Sequence, residues 1–156
     1  MNLDLTDEQR AARQTARDFA EKEIIPVARE YDEKCEFPAH LLQRMADVGI
    51  FGTAIPEQYG GAGMDFIAYA LVTEEIGRAC SSMRTVLSVT SSLAALTILK
   101  WGTEEQKQRY LPKMASGEII GCFGLTEPDA GSDAANLSTT AKKDGSDWIL
   151  NGNKMW

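Results

Sequence analysis

The residues with the densest chemical potential are Cys122-Phe123-Gly124-Leu125-Thr126-Glu127-Pro128-Asp129-Ala130-Gly131-Ser132-Asp133. Glycines, two hydroxyls and little side-chain bulk leave backbone N–H groups open, and such a stretch can cradle a phosphate or the carbonyl edge of a ring. It reads equally as a surface loop in which Thr126 and Ser132 satisfy nearby backbone groups. Spacing alone does not separate the two. A second pair is Arg84 and Ser88, four apart near the start of an apolar segment and so on one helix face. A guanidinium, a hydroxyl and the positive end of a helix together suit a carboxylate. The alternative is that Arg84 neutralises an acid such as Glu74 or Glu75, or extends to solvent. The single histidine, His40, excludes a multi-His metal site and reads as a surface residue. Cys35, Cys80 and Cys122 are odd in number and far apart, which fits neither a disulfide framework nor a zinc site. Cys80 and Cys122 read as packed thiols. Gly60-Gly61-Ala62-Gly63 has the wrong spacing for a dinucleotide fingerprint.

These residues need elements to position them. Thr6-Asp7-Glu8-Gln9 is a capping-box pattern, and Ala12, Ala16, Phe19, Ala20 and Ile24 continue as an apolar helical stripe. Pro26 should kink or tighten that helix near its end. The charged residues between Arg10 and Glu33 read as its solvated face. A second helix begins near Pro38, with Leu41, Leu42, Met45 and Val48 inward and Gly49 as its stop. Pro56 and the glycines to Gly63 make a loop. Helix signals resume over 64–78. The segment 82–100 is apolar on most sides, which predicts the most buried helix of a largely helical region, 6–116. Thr103-Glu104-Glu105-Gln106 opens another helix, which ends near Gly117. The pattern then changes. Ile119 to Leu125 reads as a strand, alternation through Leu137, Thr139 and Ala141 as another, and Trp148-Ile149-Leu150 as a third, with turns at Asp144-Gly145 and Asn151-Gly152. Two or three strands cannot bury both faces alone, so the chain reads as a truncated piece of something longer, or as a protein whose remaining part is supplied separately.

Composition narrows the class. The 156 residues are 44% hydrophobic, enough for a core. A net charge of -7 and a pI near 4.8, with no basic stripe, exclude a nucleic-acid partner. No apolar run reaches about 18 residues, so no membrane span is expected. The N-terminus lacks the features of a signal or transit peptide.

The signature Gly124-Leu125-Thr126-Glu127…Ala130-Gly131-Ser132-Asp133 resembles that of the acyl-CoA dehydrogenase flavoproteins, with Asn136 a departure at its end. The loop Pro56-Glu57-Gln58-Tyr59-Gly60-Gly61, the helix Glu104 to Pro112 and the stretch Asn151 to Trp156 are similar to three further motifs of that family, in the same order. The resemblance implies a mainly α fold: an N-terminal helical domain, 1–118, then the first strands of the β-barrel domain, 119–156. It implies FAD as cofactor, with Phe123, Gly124, Leu125, Thr126, Gly131, Ser132 and Trp156 as its contacts. It also implies an acyl-CoA substrate near Arg84, Thr85, Ser88 and Ser132.

In such enzymes a carboxylate removes the α-proton of the thioester while the β-hydrogen leaves with its electrons to the flavin. That base belongs to the family's C-terminal domain, so no catalytic residue and no metal site is expected in this chain. Arg84 and Ser88, with Thr85 a conservative departure beside the Arg, and the segment Gly121 to Pro128 resemble the glutaryl-CoA branch, where Arg and Ser hold the distal carboxylate. The alternatives are a short-chain or cyclic monocarboxyl-CoA dehydrogenase, or a non-catalytic helical interaction fragment. The family further implies an electron-transfer flavoprotein as partner, a homotetramer, and the cytoplasm, or the mitochondrial matrix in a eukaryote.

Overall fold

A computed structural model describes residues 4–155 and divides the chain into two compact units, one running through Cys122 and the other beginning at Phe123. The first is helical and the second carries a small sheet, so the fold is mainly α with the opening strands of a β region.

The first unit starts as its sequence predicts. Thr6 caps α1 (Asp7–Phe19): its hydroxyl accepts from the Gln9 N–H, and the Gln9 side chain accepts from the Thr6 N–H. Pro26 does not end this helix. The chain passes through a π turn, Ala20–Ile24, straight into α2 (Ile25–Glu33). The Ile25 N–H reaches back five residues to the Ala20 carbonyl, and Pro26 falls in the first turn of α2. There its missing N–H matters least, and the wider turn gives its ring room.

Helix α3 (His40–Asp47) buries Leu41 and Met45. Val48 lies past its end and is exposed, unlike the inward position expected for it. Gly49 turns the chain with φ +78°. In the loop that follows, the backbone of Gly61 approaches that of Ile55 so closely that a Cβ there would sit 1.9 Å from the Ile55 carbonyl oxygen. The same loop is anchored by Tyr59, whose buried hydroxyl donates to both carboxylate oxygens of Glu104 at 3.0 and 3.1 Å.

Helix α4 (Phe66–Ala79) is capped by Asp65, which also accepts from Gln9 at 2.7 Å. One residue, Cys80 in extended conformation, joins it to a helix running Ser81–Trp101. That helix comprises α5 (Ser81–Ser88), a π turn at Val89–Ala95 and α6 (Leu96–Trp101). It is not the most buried helix. Met83, Leu87, Thr90, Ser91 and Ala95 face the core, while Leu93 and Trp101 are exposed. Its apolar residues lie on every side, but neighbouring helices cover only one. Length and composition alone would let it cross a membrane, with a mean hydropathy of 1.3 over its best window, which the absence of an unbroken apolar run had not indicated. Gly102 ends it, and Thr103 and Gln106 form the second capping box, opening α7 (Glu104–Ala115).

Two apolar clusters make the core. One joins Ala16, Phe19 and Ile24 to Met45, Phe51, Val72, Ile76 and Leu87; the other joins Ile55 and Tyr59 to Ala95, Leu111 and Met114. Between α1 and α4 lies a buried carboxylate, Glu75, only 1% exposed. It accepts from Arg17 at 2.6 Å, Arg13 at 3.1 Å and Arg78 at 3.1 Å. The sequence had placed Arg13 and Arg17 on a solvated face; their charged ends instead fold inward to this acid. A buried carboxylate without such partners would not stay ionised.

The second unit holds β1 (Thr140–Asp144) and β2 (Asp147–Asn151), antiparallel, with Thr140 opposite Asn151 and Asp144 opposite Asp147. The Asp144-Gly145 turn is where the sequence put it, with Gly145 at φ +60°. Residues 119–125 are not a strand among the described residues; they have no ladder to join. Cys122 is exposed, not a packed thiol, and Cys80 is half-buried.

The Glu75 cluster generates a stability prediction. Its hydrogen bond to Arg17, then those to Arg13 and Arg78, lower its pKa from 4.5 to about 2. Depression of the folded value means that this contribution is present above about pH 4.5 and lost as pH falls toward 2. The arginines keep partial access to water, so Glu75→Ala should cost about 3 kcal/mol at neutral pH, the lower end for breaking a buried pair. Urea unfolding at pH 7 and pH 3 should show the gap between wild type and variant narrowing at the lower pH.

Candidate functional site

The signature segment lies in the second unit and is organised by a turn. The Glu127 N–H donates to the Ala130 carbonyl at 2.9 Å, and the Ala130 N–H donates back at 3.2 Å. Pro128 and Asp129 occupy the bend, exposed, while Glu127 and Ala130 are buried at 3% and 4%. Beyond it a short 3-10 turn, Ala134–Asn136, leads toward β1.

Glu127 is the residue that reading the sequence for function passed over. Its carboxylate accepts from the Ser138 N–H at 2.6 Å, the Ser138 hydroxyl at 2.9 Å, the Thr139 N–H at 3.1 Å and Lys154 Nζ at 2.9 Å. Thr139 and Lys154 foremost hold its pKa well below the usual carboxylate range. A buried acid needing several donors was detectable only as one Glu inside a loop, and nothing in the sequence pairs it with Lys154.

Around this anchor the expected contacts are presented outward. Phe123, Gly124 and Leu125 are exposed, and Thr126 is half-buried with no partner for its hydroxyl. Gly131 and Ser132 are exposed, and the Ser132 hydroxyl is likewise unpartnered. Trp156 lies outside the described residues. Gly131 has no positive φ, and a Cβ on it would meet nothing within 4 Å; a Cβ on Gly124 would meet only Lys154, at 4.0 Å. The fold of the chain therefore does not itself require glycine at either place. A ligand lying close against the backbone would.

Gly152 is the opposite case. A Cβ there would fall 2.0 Å from the Thr139 hydroxyl oxygen. Asn151-Gly152 is not a reversing turn, as its residue types suggest, but the end of β2 and the residue where Thr139 crosses closely.

In the first unit Arg84 and Ser88 share one face of α5. Arg84 is half-buried, its stem lying over Gly77, where a Cβ would come 3.2 Å from Arg84 Cγ. Among the described residues Arg84 has no ion-pair or side-chain hydrogen-bond partner. Of the two acids suggested for it, Glu75 belongs to three other arginines, and Glu74 forms no ion pair with it. Ser88 is half-buried, and its hydroxyl has no partner. Neighbouring Thr85 is exposed, a third of a turn away, and its hydroxyl donates to the Ser81 carbonyl at 2.9 Å. No side chain caps the start of α5, so its positive end remains available close to Arg84.

Two family profiles cover the chain: "Acyl-CoA dehydrogenase, N-terminal domain" over residues 6–118 and "Acyl-CoA dehydrogenase, middle domain" over residues 122–156. The chain is 45% identical to the mitochondrial short-chain specific acyl-CoA dehydrogenase of Homo sapiens, over 99% of its own length and 38% of that protein. It is 43% identical to a glutaryl-CoA dehydrogenase of Desulfococcus multivorans, over 100% of its own length and 41% of that protein. The crystal structure of a glutaryl-CoA dehydrogenase from Mycobacterium smegmatis in complex with FADH2 superposes with a TM-score of 0.91 at 40% identity, covering 97% of this chain and 39% of that one. The chain thus spans about two fifths of the length of these relatives.

The three glycines should separate folding from binding. Gly152→Ala should destabilise the protein by about 1–3 kcal/mol, because the Thr139 side chain must move. Gly124→Ala and Gly131→Ala should change stability by less than about 0.5 kcal/mol yet weaken any ligand that lies against that backbone. Thermal melting with and without ligand distinguishes the two effects.

Proposed function

We propose, on the premise that the chain belongs to the acyl-CoA dehydrogenase family, that the whole protein is an FAD-dependent enzyme that oxidises a dicarboxyl acyl-CoA, glutaryl-CoA being the best fit. Residues 1–118 and 119–156 are taken as its helical domain and the start of its β domain. The donors of the signature segment fit a flavin: the amides of Leu125 and Thr126, the Thr126 and Ser132 hydroxyls, and two glycines that leave the backbone open. Phe123 and Leu125 add apolar surface, and Trp156 is assigned to the same group by resemblance. FAD, when bound, supplies the oxidant for α,β-desaturation of the thioester.

The contribution of this chain is binding, orientation and exclusion of water. Neither of its buried carboxylates serves as a base. A general base works best with a pKa near the working pH, and Glu75 and Glu127 are both held far below it by the donors around them. By resemblance the proton-abstracting carboxylate belongs to the family's C-terminal domain.

The single observation that carries the substrate assignment is Arg84. Arg13, Arg17 and Arg78 all converge on Glu75, while Arg84, half-buried one turn from Ser88, is left without a partner. A partly desolvated guanidinium favours an anion supplied from outside. The distal carboxylate of a dicarboxyl-CoA is such an anion. Thr85 has its hydroxyl engaged on its own helix and is given no part. A second reading is a short-chain or cyclic monocarboxyl-CoA; the short-chain form is favoured by the match to the human short-chain relative, 45% identical against 43% for the glutaryl-CoA relative. Family resemblance further supports transfer of electrons to an electron-transfer flavoprotein, a homotetramer without a membrane span, and the cytoplasm or mitochondrial matrix as location.

The test uses the full-length enzyme. Arg84→Gln should lower kcat/KM for glutaryl-CoA about 30- to several-thousand-fold, the equivalent of 2–5 kcal/mol for a desolvated charge left unpaired. Butyryl-CoA, which has no distal carboxylate, should change little. Equal losses for both substrates would make Arg84 structural, and a wild type that prefers butyryl-CoA would establish the second reading.

A further inference from the structure

Glu127 and Lys154 have no role in the reading above, yet they determine what the signature segment offers. Lys154 Nζ donates to Glu127 Oε1 at 2.9 Å and also to the Leu125 carbonyl at 2.9 Å. The next residue, Met155, donates its N–H to the Thr126 carbonyl at 3.0 Å. Glu127 meanwhile holds Ser138 and Thr139. Three stretches that are distant in sequence, 125–127, 138–139 and 154–155, therefore meet at one buried carboxylate.

This has a chemical consequence. Both carbonyl acceptors of Leu125 and Thr126 are consumed inside the unit. Their amide N–H groups and the Thr126 hydroxyl have no partner among the described residues. The strip is left with free donors, while its two carbonyls each already hold one hydrogen bond. The pyrimidine edge of an oxidised flavin carries two carbonyl oxygens and the bare nitrogens N1 and N5 beside a single donor, N3–H, and the free donors of the strip match those acceptors. A free Leu125 carbonyl set against one of those acceptors would repel it.

We infer that Glu127 and Lys154 are positioning residues for the cofactor: Glu127 fixes Lys154, and Lys154 binds the Leu125 carbonyl and holds the segment at 154–155 to the signature, so that residues 125–126 keep their N–H groups and the Thr126 hydroxyl free for the flavin. The inference rests on the FAD reading above. Lys154 is the sharper half of it. Removing its ammonium leaves the Ser138 and Thr139 bonds to Glu127 in place, while it frees the Leu125 carbonyl and takes one donor from Glu127.

The experiment is made on full-length protein freed of cofactor and titrated with FAD. It compares wild type, Glu127→Gln, Lys154→Met, Lys154→Arg and the double variant E127Q/K154M. Lys154→Met should weaken FAD about 10-fold or more and shift the visible absorption bands of the bound flavin, because an acceptor is left unsatisfied beside the ring. Lys154→Arg should recover part of both. Glu127→Gln should do the same as Lys154→Met, and the double variant should lose less than the sum of the single variants, as expected of groups acting through one contact. A folded Lys154→Met protein with wild-type FAD affinity and spectrum would overturn the inference, however far its melting temperature falls. That variant decides the question even if Glu127→Gln does not fold. A wild type that binds no FAD would instead overturn the reading on which the inference rests.

Discussion

Each unit of this protein is arranged round a carboxylate that has been taken out of water. Glu75 lies between α1 and α4 with three arginines on it, and Glu127 sits under the signature turn with Ser138, Thr139 and Lys154 on it. An ionised carboxylate in such surroundings is tolerable only when its lone pairs are filled. That requirement dictates which segments must meet. In the helical unit it brings Arg13 and Arg17 of α1 to α4. In the second unit it gathers the signature loop, the entry to β1 and the segment after β2. An apolar core can hold helices together in several registers, but a carboxylate with several aimed donors admits few. The role of both acids is thus geometric, which is why neither is a candidate proton acceptor.

The distribution of arginines follows from the same constraint. Three of them are held by Glu75. Arg84 packs its stem on Gly77 and finds no acid, although Glu75 lies on the neighbouring helix. Its charge remains available beside Ser88 and the uncapped start of α5.

The apolar surface left open is just as informative about what this length of chain can bury. The helix Ser81–Trp101 turns one side to the core and leaves Leu93 and Trp101 exposed; β2 exposes Trp148, Ile149 and Leu150. A two-stranded sheet has no second layer to bury its apolar residues against. The relatives that match this chain extend over more than twice its length.

Much of this was written in local sequence. Capping boxes at Thr6 and Thr103, the stop at Gly102 and the hairpin at Asp144-Gly145 depend on residues three or four apart, and they form where the residue types demand. The signature from Gly124 to Asp133, with its companion motifs, was sufficient to indicate the family. What the sequence could not decide was pairing at a distance. It could not tell that Arg13 and Arg17 turn inward, that Arg84 therefore stands alone, or that Lys154 reaches Glu127 across 27 positions. It overstated the burial of Ser81–Trp101, because hydrophobicity says that a side would be better covered and not that a neighbour exists to cover it. It assigned a strand to 119–125 and a turn to Asn151-Gly152 from residue types alone. A strand exists only if another edge accepts its hydrogen bonds, and a glycine is as often required by what crosses it as by how it bends. Local hydrogen bonds are fixed by neighbours along the chain; the partners of buried charges are fixed by which surfaces meet, and only the tertiary structure determines that.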